Sequence, residues 1–247
     1  MVNEQTIERL RQMQLDTMAE NLRVQERDSK IEKLSFSERF GLLVDAEWAA
    51  RQTKRMTRLI RGAQLHFPGA CVEDIEYHAD RKLDQNLITK LSTCTYIQEK
   101  YNIILLGASG AGKTYLGCAF GIAACRNFLR VKYVRLPELL NDLAVARGTG
   151  TYQKIMKQCK RADLLILDEW LLLPLKEYET RDLLEIVEGR HQKGSTIFLS
   201  QFSPAGWHGK IGEGTLADAI LDRIVHYSYE IFIDGKDSMR KRKGLNK

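Results

Sequence analysis

The sequence predicts an α/β protein, a parallel sheet with helices on both faces, preceded by an all-helical amino-terminal domain. Three observations predict it. From Tyr101 onward, short apolar runs alternate with segments of helical periodicity, as expected where helices connect parallel strands. Residues 107–114 fit the pattern G-x-x-x-x-G-K-[ST] at every fixed position, and that loop belongs between a strand and a helix. Residues 3–63 look helical throughout.

The chain of 247 residues has room for one full domain and a smaller one. Four regions are expected: a helical amino-terminal domain over 1–68 for DNA or partner binding, a linker and lead-in over 69–100, a core over 101–238, and a basic tail over 239–247. In the first region Ile7, Leu10, Met13 (or Gln14), Met18 and Leu22 follow a helical rhythm. Ser35-Phe-Ser-Glu has a capping residue and a glutamate three positions on, a helix start, and Phe40, Leu43, Val44, Glu47 and Trp48 continue that helix. His66-Phe-Pro-Gly-Ala reads as the linker, and residues 86–99 are a further helical candidate.

In the core, strands are expected at 102–106, 131–134, 164–168, 196–200 and 229–233, and helices near 113–128, 138–146, 151–161, 180–192 and 216–226. The strand at 131–134 lies between the two motifs described below. It suggests an additional strand inserted between the strands that carry them, an arrangement that goes with an adjacent catalytic glutamate and favours a hydrolase over a kinase.

The first motif reads Gly107-Ala108-Ser109-Gly110-Ala111-Gly112-Lys113-Thr114. Its glycines let backbone N–H groups turn inward around phosphate oxygens, and the following helix adds its positive end. Lys113 is placed to reach β- and γ-phosphates, and Thr114 to offer its hydroxyl to Mg²⁺. The second motif, Leu164-Leu-Ile-Leu-Asp168-Glu169, is an apolar strand ending in two carboxylates. Asp168 is placed for Mg²⁺, and Glu169 can polarise an attacking water. Ser200-Gln201 ends the fourth strand; it is either an ordinary strand-end turn or a polar tip against a γ-phosphate or the attacking water. Asp222-Arg223 is either surface charge or, in an assembly, a pair whose arginine reaches a neighbour's nucleotide.

The formal charge is +6, a mild lean toward an acidic partner. From Trp48 to Val72 there is no acidic residue, while Arg51, Lys54, Arg55, Arg58 and Arg61 share one helical face. That stripe is either a solvated face balanced by acids elsewhere or a surface that tracks DNA phosphates without reading bases. No apolar run is long enough to span a bilayer. The polar start is unlike a secretory signal. Five scattered cysteines form no C-x-x-C pair, which argues against a disulfide framework and fits a reducing cytoplasm.

The chain resembles the IstB-type transposition helper ATPases, relatives of DnaC-like helicase loaders within the AAA+ class. The resemblance covers nearly the whole chain. It rests on Asp45-Ala-Glu-Trp-Ala-Ala-Arg, on Asn102 through Thr114, on Asp163 through Glu169, and on Ser200-Gln201, Trp207-His208, Ala217 through Arg223 and Ser238-Met-Arg. It implies an AAA+ core with a minimal or absent helical lid, ATP and Mg²⁺ as cofactors, and ATP-dependent self-assembly on duplex DNA. It also implies a partner transposase. By position it makes Gly107 to Thr114 the phosphate site and assigns Asp168 and Glu169 to metal and water. Gln201 takes the sensor place, where some relatives carry Asn, and Arg223 the finger place. Some relatives carry Asp where this chain has Glu169. Arg240 is a further candidate for facing the nucleotide. The alternative within the same architecture is a helicase loader that prefers single strands. A small-molecule phosphotransferase would need an acceptor pocket and a mobile basic lid, and neither is evident.

Overall fold

The helical rhythm of Ile7 to Leu22 is carried by two helices rather than one. The computed structural model describes residues 4–28, 30–212, 214–235 and 238–243; the side chains of Glu32, Arg240 and Lys243 lie outside that description, as do residues 244–247 of the basic tail. Helix α1 (Glu4–Gln12) ends where Gln14 takes φ +60°. The Leu15 N–H donates to the Leu10 carbonyl and the Gln14 N–H to the Arg11 carbonyl, both at 2.8 Å. This is the paired closure that usually places glycine in the left-handed position. Helix α2 (Asp16–Gln25) follows, then a 3₁₀ turn at Ile31–Lys33.

Helix α3 (Phe36–Ala63) runs for 28 residues. It starts as the sequence predicts: the Ser35 N–H donates to the Glu38 carboxylate at 2.8 Å, and the Glu38 N–H donates to Ser35 Oγ at 3.3 Å. Contacts divide the chain into two units, Met1–Arg58 and Leu59–Lys247. In the first, Ile7, Ala19 and Leu43 are buried, and so is Glu47. Its carboxylate accepts the Met18 N–H at 3.0 Å and Arg51 Nε at 2.8 Å, so the burial cost is offset by two hydrogen bonds, one of them to a cation.

The second unit holds the sheet: β1 (Asn102–Gly107), β2 (Val131–Arg135), β3 (Leu164–Asp168), β4 (Ser195–Ser200) and β5 (Ser228–Ile233), ordered β2-β3-β4-β1-β5. Every pairing is parallel. Each strand lies within one residue of its expected position. The inserted strand is a correction: β4 separates β1 from β3, whereas the strand at 131–134, here β2, forms the edge.

The three central strands carry consecutive apolar residues because both their faces are covered. Ile103, Leu105, Ile166, Ile197 and Leu199 share one core with α4 (Gln85–Ser92), α5 (Thr95–Gln98) and α6 (Lys113–Arg126). Ile104, Leu106, Leu165, Leu167 and Phe198 share the other with α7 (Leu136–Thr149), α8 (Tyr152–Arg161), α9 (Glu177–Arg190), α10 (Pro204–Ile211) and α11 (Thr215–Val225). The alternation follows the two-residue period of a strand. The edge strands β2 and β5 bury alternate residues, Val131 and Tyr133, Ile231 and Ile233. Helix α10 was not expected from the sequence, although Ser203-Pro204 marks its start, with proline in the first turn.

After β5, α12 (Met239–Lys243) follows among the described residues. Arg190 ties the lower end of the sheet together. Its buried guanidinium donates to the Cys159 and Ala162 carbonyls at 2.7 and 2.8 Å and to Thr196 Oγ1 at 2.9 Å. Burial pushes its pKa down to about 10, so it stays charged at neutral pH.

Candidate functional site

The glycine loop leaves the carboxyl end of β1, where open parallel sheets bind their ligands. At Gly107 an added Cβ would lie 2.5 Å from the Ile233 carbonyl, and Gly112 takes φ +99° as the cap of α6. Neither position admits a side chain without strain. The loop and the first turn of α6 therefore present backbone N–H groups and a positive helix end to an anion. Lys113 is buried, and its ammonium donates to the Gly107 and Ala108 carbonyls at 2.7 and 2.9 Å. Desolvation lowers its pKa, with Asp168 acting in the opposite sense.

Thr114 Oγ1 donates to Asp168 Oδ2 at 2.8 Å, so the two motifs meet as expected. Tyr133 also donates to that oxygen, at 2.8 Å. Burial first, then the neighbouring Asp168, raises the Tyr133 pKa, which keeps the phenol a donor. Two hard oxygens side by side fit Mg²⁺. No group of three or more metal-binding side chains occurs here among the described residues. The pair thus suits an ion that arrives with phosphate oxygens and keeps several waters.

Glu169 follows β3 at φ +54°, a left-handed conformation that costs energy outside glycine and clusters at functional sites. Its N–H donates to Asp168 Oδ1 at 2.7 Å, and its carboxylate is paired with Arg135 at 2.5 Å. Arg135 also pairs with Glu138 at 2.8 Å. The parallel register sets Arg135 directly beside Asp168. Tyr133 and Arg135 were missed by sequence reasoning; the signal lay in the β2–β3 register, which composition does not reveal.

Gln201 is the first residue past β4, whose Ser200 pairs in register with Leu106 one residue before the glycine loop. The tip is anchored by Ser200 Oγ, which accepts from Trp207 Nε1 and the Phe202 N–H, both at 3.1 Å. Trp207 from α10 stacks edge-on against Trp170, so this pair of tryptophans holds the strand end beside the loop.

Arg223 is not brought to the loop. It donates to the Ala219 carbonyl at 2.7 Å and to Glu188 at 3.2 Å. It lines a small cavity with Asn102 and Gly194, at the opposite ends of β1 and β4. β1 runs from Asn102 at that end to Gly107 at the loop, five residue steps or about 16–17 Å at strand rise.

The basic residues of α3, Arg51, Lys54, Arg55, Arg58 and Arg61, are all exposed. Arg51 is engaged with Glu47 and, at 3.0 Å, with the Gln14 carbonyl.

Beside the loop lies a cavity of about 400 Å³ lined by Gly112, Tyr115, Phe67, Ile75, Arg81 and Met239, which is within the range of small-ligand sites. Residues 8–246 match the family model described as "IstB-like ATP binding protein". The chain belongs to the IstB-like ATP-binding family. It is 40% identical over 96% of its length to an insertion-sequence ATP-binding protein of Sinorhizobium fredii, of which it covers 97%. It is 40% identical over 81% of its length to one of Pseudomonas fluorescens, of which it covers 87%. Among solved structures, AMPPCP-bound DnaA from Aquifex aeolicus matches 72% of this chain at TM-score 0.59 and 22% identity, the match spanning 53% of DnaA. A DnaC helicase loader matches 67% of this chain and 97% of its own at TM-score 0.54 and 17% identity.

The IstB-like chain thus has the AAA+ P-loop fold and an ATP site. The cavity beside Gly112 and Tyr115 is also lined by Lys113 and Thr114 of the loop. No described helix is long and apolar enough to cross a membrane.

Proposed function

We propose that this IstB-like protein is an ATP-dependent helper that assembles on target duplex DNA and recruits a transposase for insertion-sequence transposition. The observation that carries the assembly is the distance of Arg223 from its own glycine loop. An arginine at the far end of β1 serves a γ-phosphate only when that phosphate belongs to a neighbouring copy. An arginine supplied in this way contributes roughly 10³–10⁵ in rate.

Each site residue then has a task. Lys113 leaves the Gly107 and Ala108 carbonyls and bonds the β- and γ-phosphates. Thr114 and Asp168 would hold Mg²⁺, which would supply charge neutralisation for the reaction. Tyr133 keeps Asp168 oriented. Glu169 must give up its pair with Arg135 before its carboxylate can accept a proton from water, and Gln201 orients that water from the tip of β4. Hydrolysis loosens the contact between copies and resets the assembly.

DNA is held by Arg51, Lys54, Arg55, Arg58 and Arg61, of which Arg51 is already paired with Glu47. The helicase-loader reading is less supported, since the relatives at 40% identity are insertion-sequence proteins, while the helicase loader shares only the fold. Fluorescence anisotropy with a duplex in ATP tests the DNA surface. Affinity should fall steeply with salt, and Arg55→Gln with Arg58→Gln should reduce the logarithmic slope by about 2, near one unit per lost phosphate contact. An unchanged slope removes the stripe from the account. Pull-down with the transposase, against a replicative helicase as control, separates the two partners.

A further inference from the structure

The turn at residues 79–82 holds the glycine loop with one side chain and the carboxyl-terminal segment with the residues around it. It is a short 3₁₀ helix, Ala79–Arg81, closed by Lys82 at φ +50°. Arg81 is 5% exposed, and its guanidinium donates to the Ala111 carbonyl of the loop at 3.0 Å and to the Glu76 carbonyl at 2.6 Å. Its carbonyl accepts the Asp234 N–H at 3.2 Å, just past β5, and Lys82 pairs with the Asp234 carboxylate at 2.9 Å. Asp80 forms an ion pair with Arg242 of α12, both side chains about three-quarters buried.

The carboxyl-terminal segment also reaches the loop directly. The Met239 N–H donates to the Gly110 carbonyl at 2.8 Å, and Met239 lines the cavity together with Ile75 and Tyr115. Two successive loop carbonyls, Gly110 and Ala111, are therefore pinned from outside. Arg81 Nε is buried without a hydrogen-bond partner among the described residues. A buried cation left partly unsatisfied beside an anion site gains most when a phosphate is present.

We propose that Asp80, Arg81 and Arg242 are positioning residues of the ATP site, a clasp that joins α12 to the glycine loop, holds the phosphate cradle in its binding shape and must open for nucleotide to leave. The proposal rests on the ATP-site reading and is separable from it. Nothing in it depends on DNA or on a transposase. ATP bound in the cavity lies behind Met239, and Met239 is held there by its own loop contact and by the pairing of Arg242, three residues further on, with Asp80. Breaking that pair leaves the loop sequence and every residue of the phosphate motif intact.

The test is stopped-flow exchange of a ribose-labelled fluorescent ATP on the full chain and on Asp80→Asn, Arg242→Gln and the double variant, with thermal melting to establish that each is folded. Each single variant should release nucleotide about tenfold faster, the usual weight of a charge-assisted hydrogen bond away from bulk water. The association rate should change much less, and the double variant should be no faster than the faster single one. Release rates equal to the parent's in folded single variants overturn the clasp while leaving the ATP site standing, and so do effects that multiply in the double variant. Absence of labelled-nucleotide binding by the parent protein overturns the site and the clasp together.

Discussion

Lys113→Ala yields a folded protein that neither holds ATP nor assembles. The ammonium is buried and bonds only loop carbonyls, so its loss removes no contact between core elements. The nucleotide loses its one buried cation among the loop residues. Replacing charge-assisted contacts to two phosphates with nothing should weaken ATP binding by roughly 10²–10³-fold. Titration calorimetry measures the affinity, and sedimentation in ATP measures assembly. The two should fail together, because a subunit without a γ-phosphate has nothing to offer the neighbour's Arg223. ATP-driven assembly in a Lys113→Ala protein that binds no nucleotide would detach the phosphate loop from the interface.

Glu169→Gln separates binding from turnover. The amide keeps the size and one acceptor oxygen, and it no longer takes a proton. General-base catalysis contributes about 10²–10⁴-fold, so kcat for ATP should fall by that factor with affinity for ATP nearly unchanged. The substitution also weakens the pair with Arg135, which removes an ion pair from the resting site. Resting nucleotide affinity should not suffer from that loss. The consequence is persistence: assemblies formed with ATP on duplex DNA should last far longer than those of the parent, as read by a DNA-release assay after ATP is diluted. A variant that hydrolyses ATP at the parent's rate would assign the base elsewhere.

Much of the core was legible because strands buried on both faces carry consecutive apolar residues. Ile103 to Leu106 and Leu164 to Leu167 therefore announce themselves, and the glycine loop between strand and helix allows few alternatives. The helix ends were harder. Gln14, Lys100 and Phe128 each take positive φ and close a helix, work usually given to glycine, so no stop signal is written there. The adjacent site residues were illegible for another reason. Tyr133, Arg135 and Arg81 matter through neighbours distant in sequence, and strand order decides which neighbours those are. Even the charge of the stripe depended on a boundary: a window beginning at Trp48 has no acid, yet Glu47 one residue earlier neutralises Arg51.

Electron microscopy of the purified chain with a duplex, first stripped of nucleotide and then supplied with a nonhydrolysable ATP analogue, asks whether triphosphate joins one copy to the next. Ordered assemblies on DNA with the analogue, and bare or sparsely decorated DNA without it, are the expected result. Equal coating of the duplex in both conditions would contradict it.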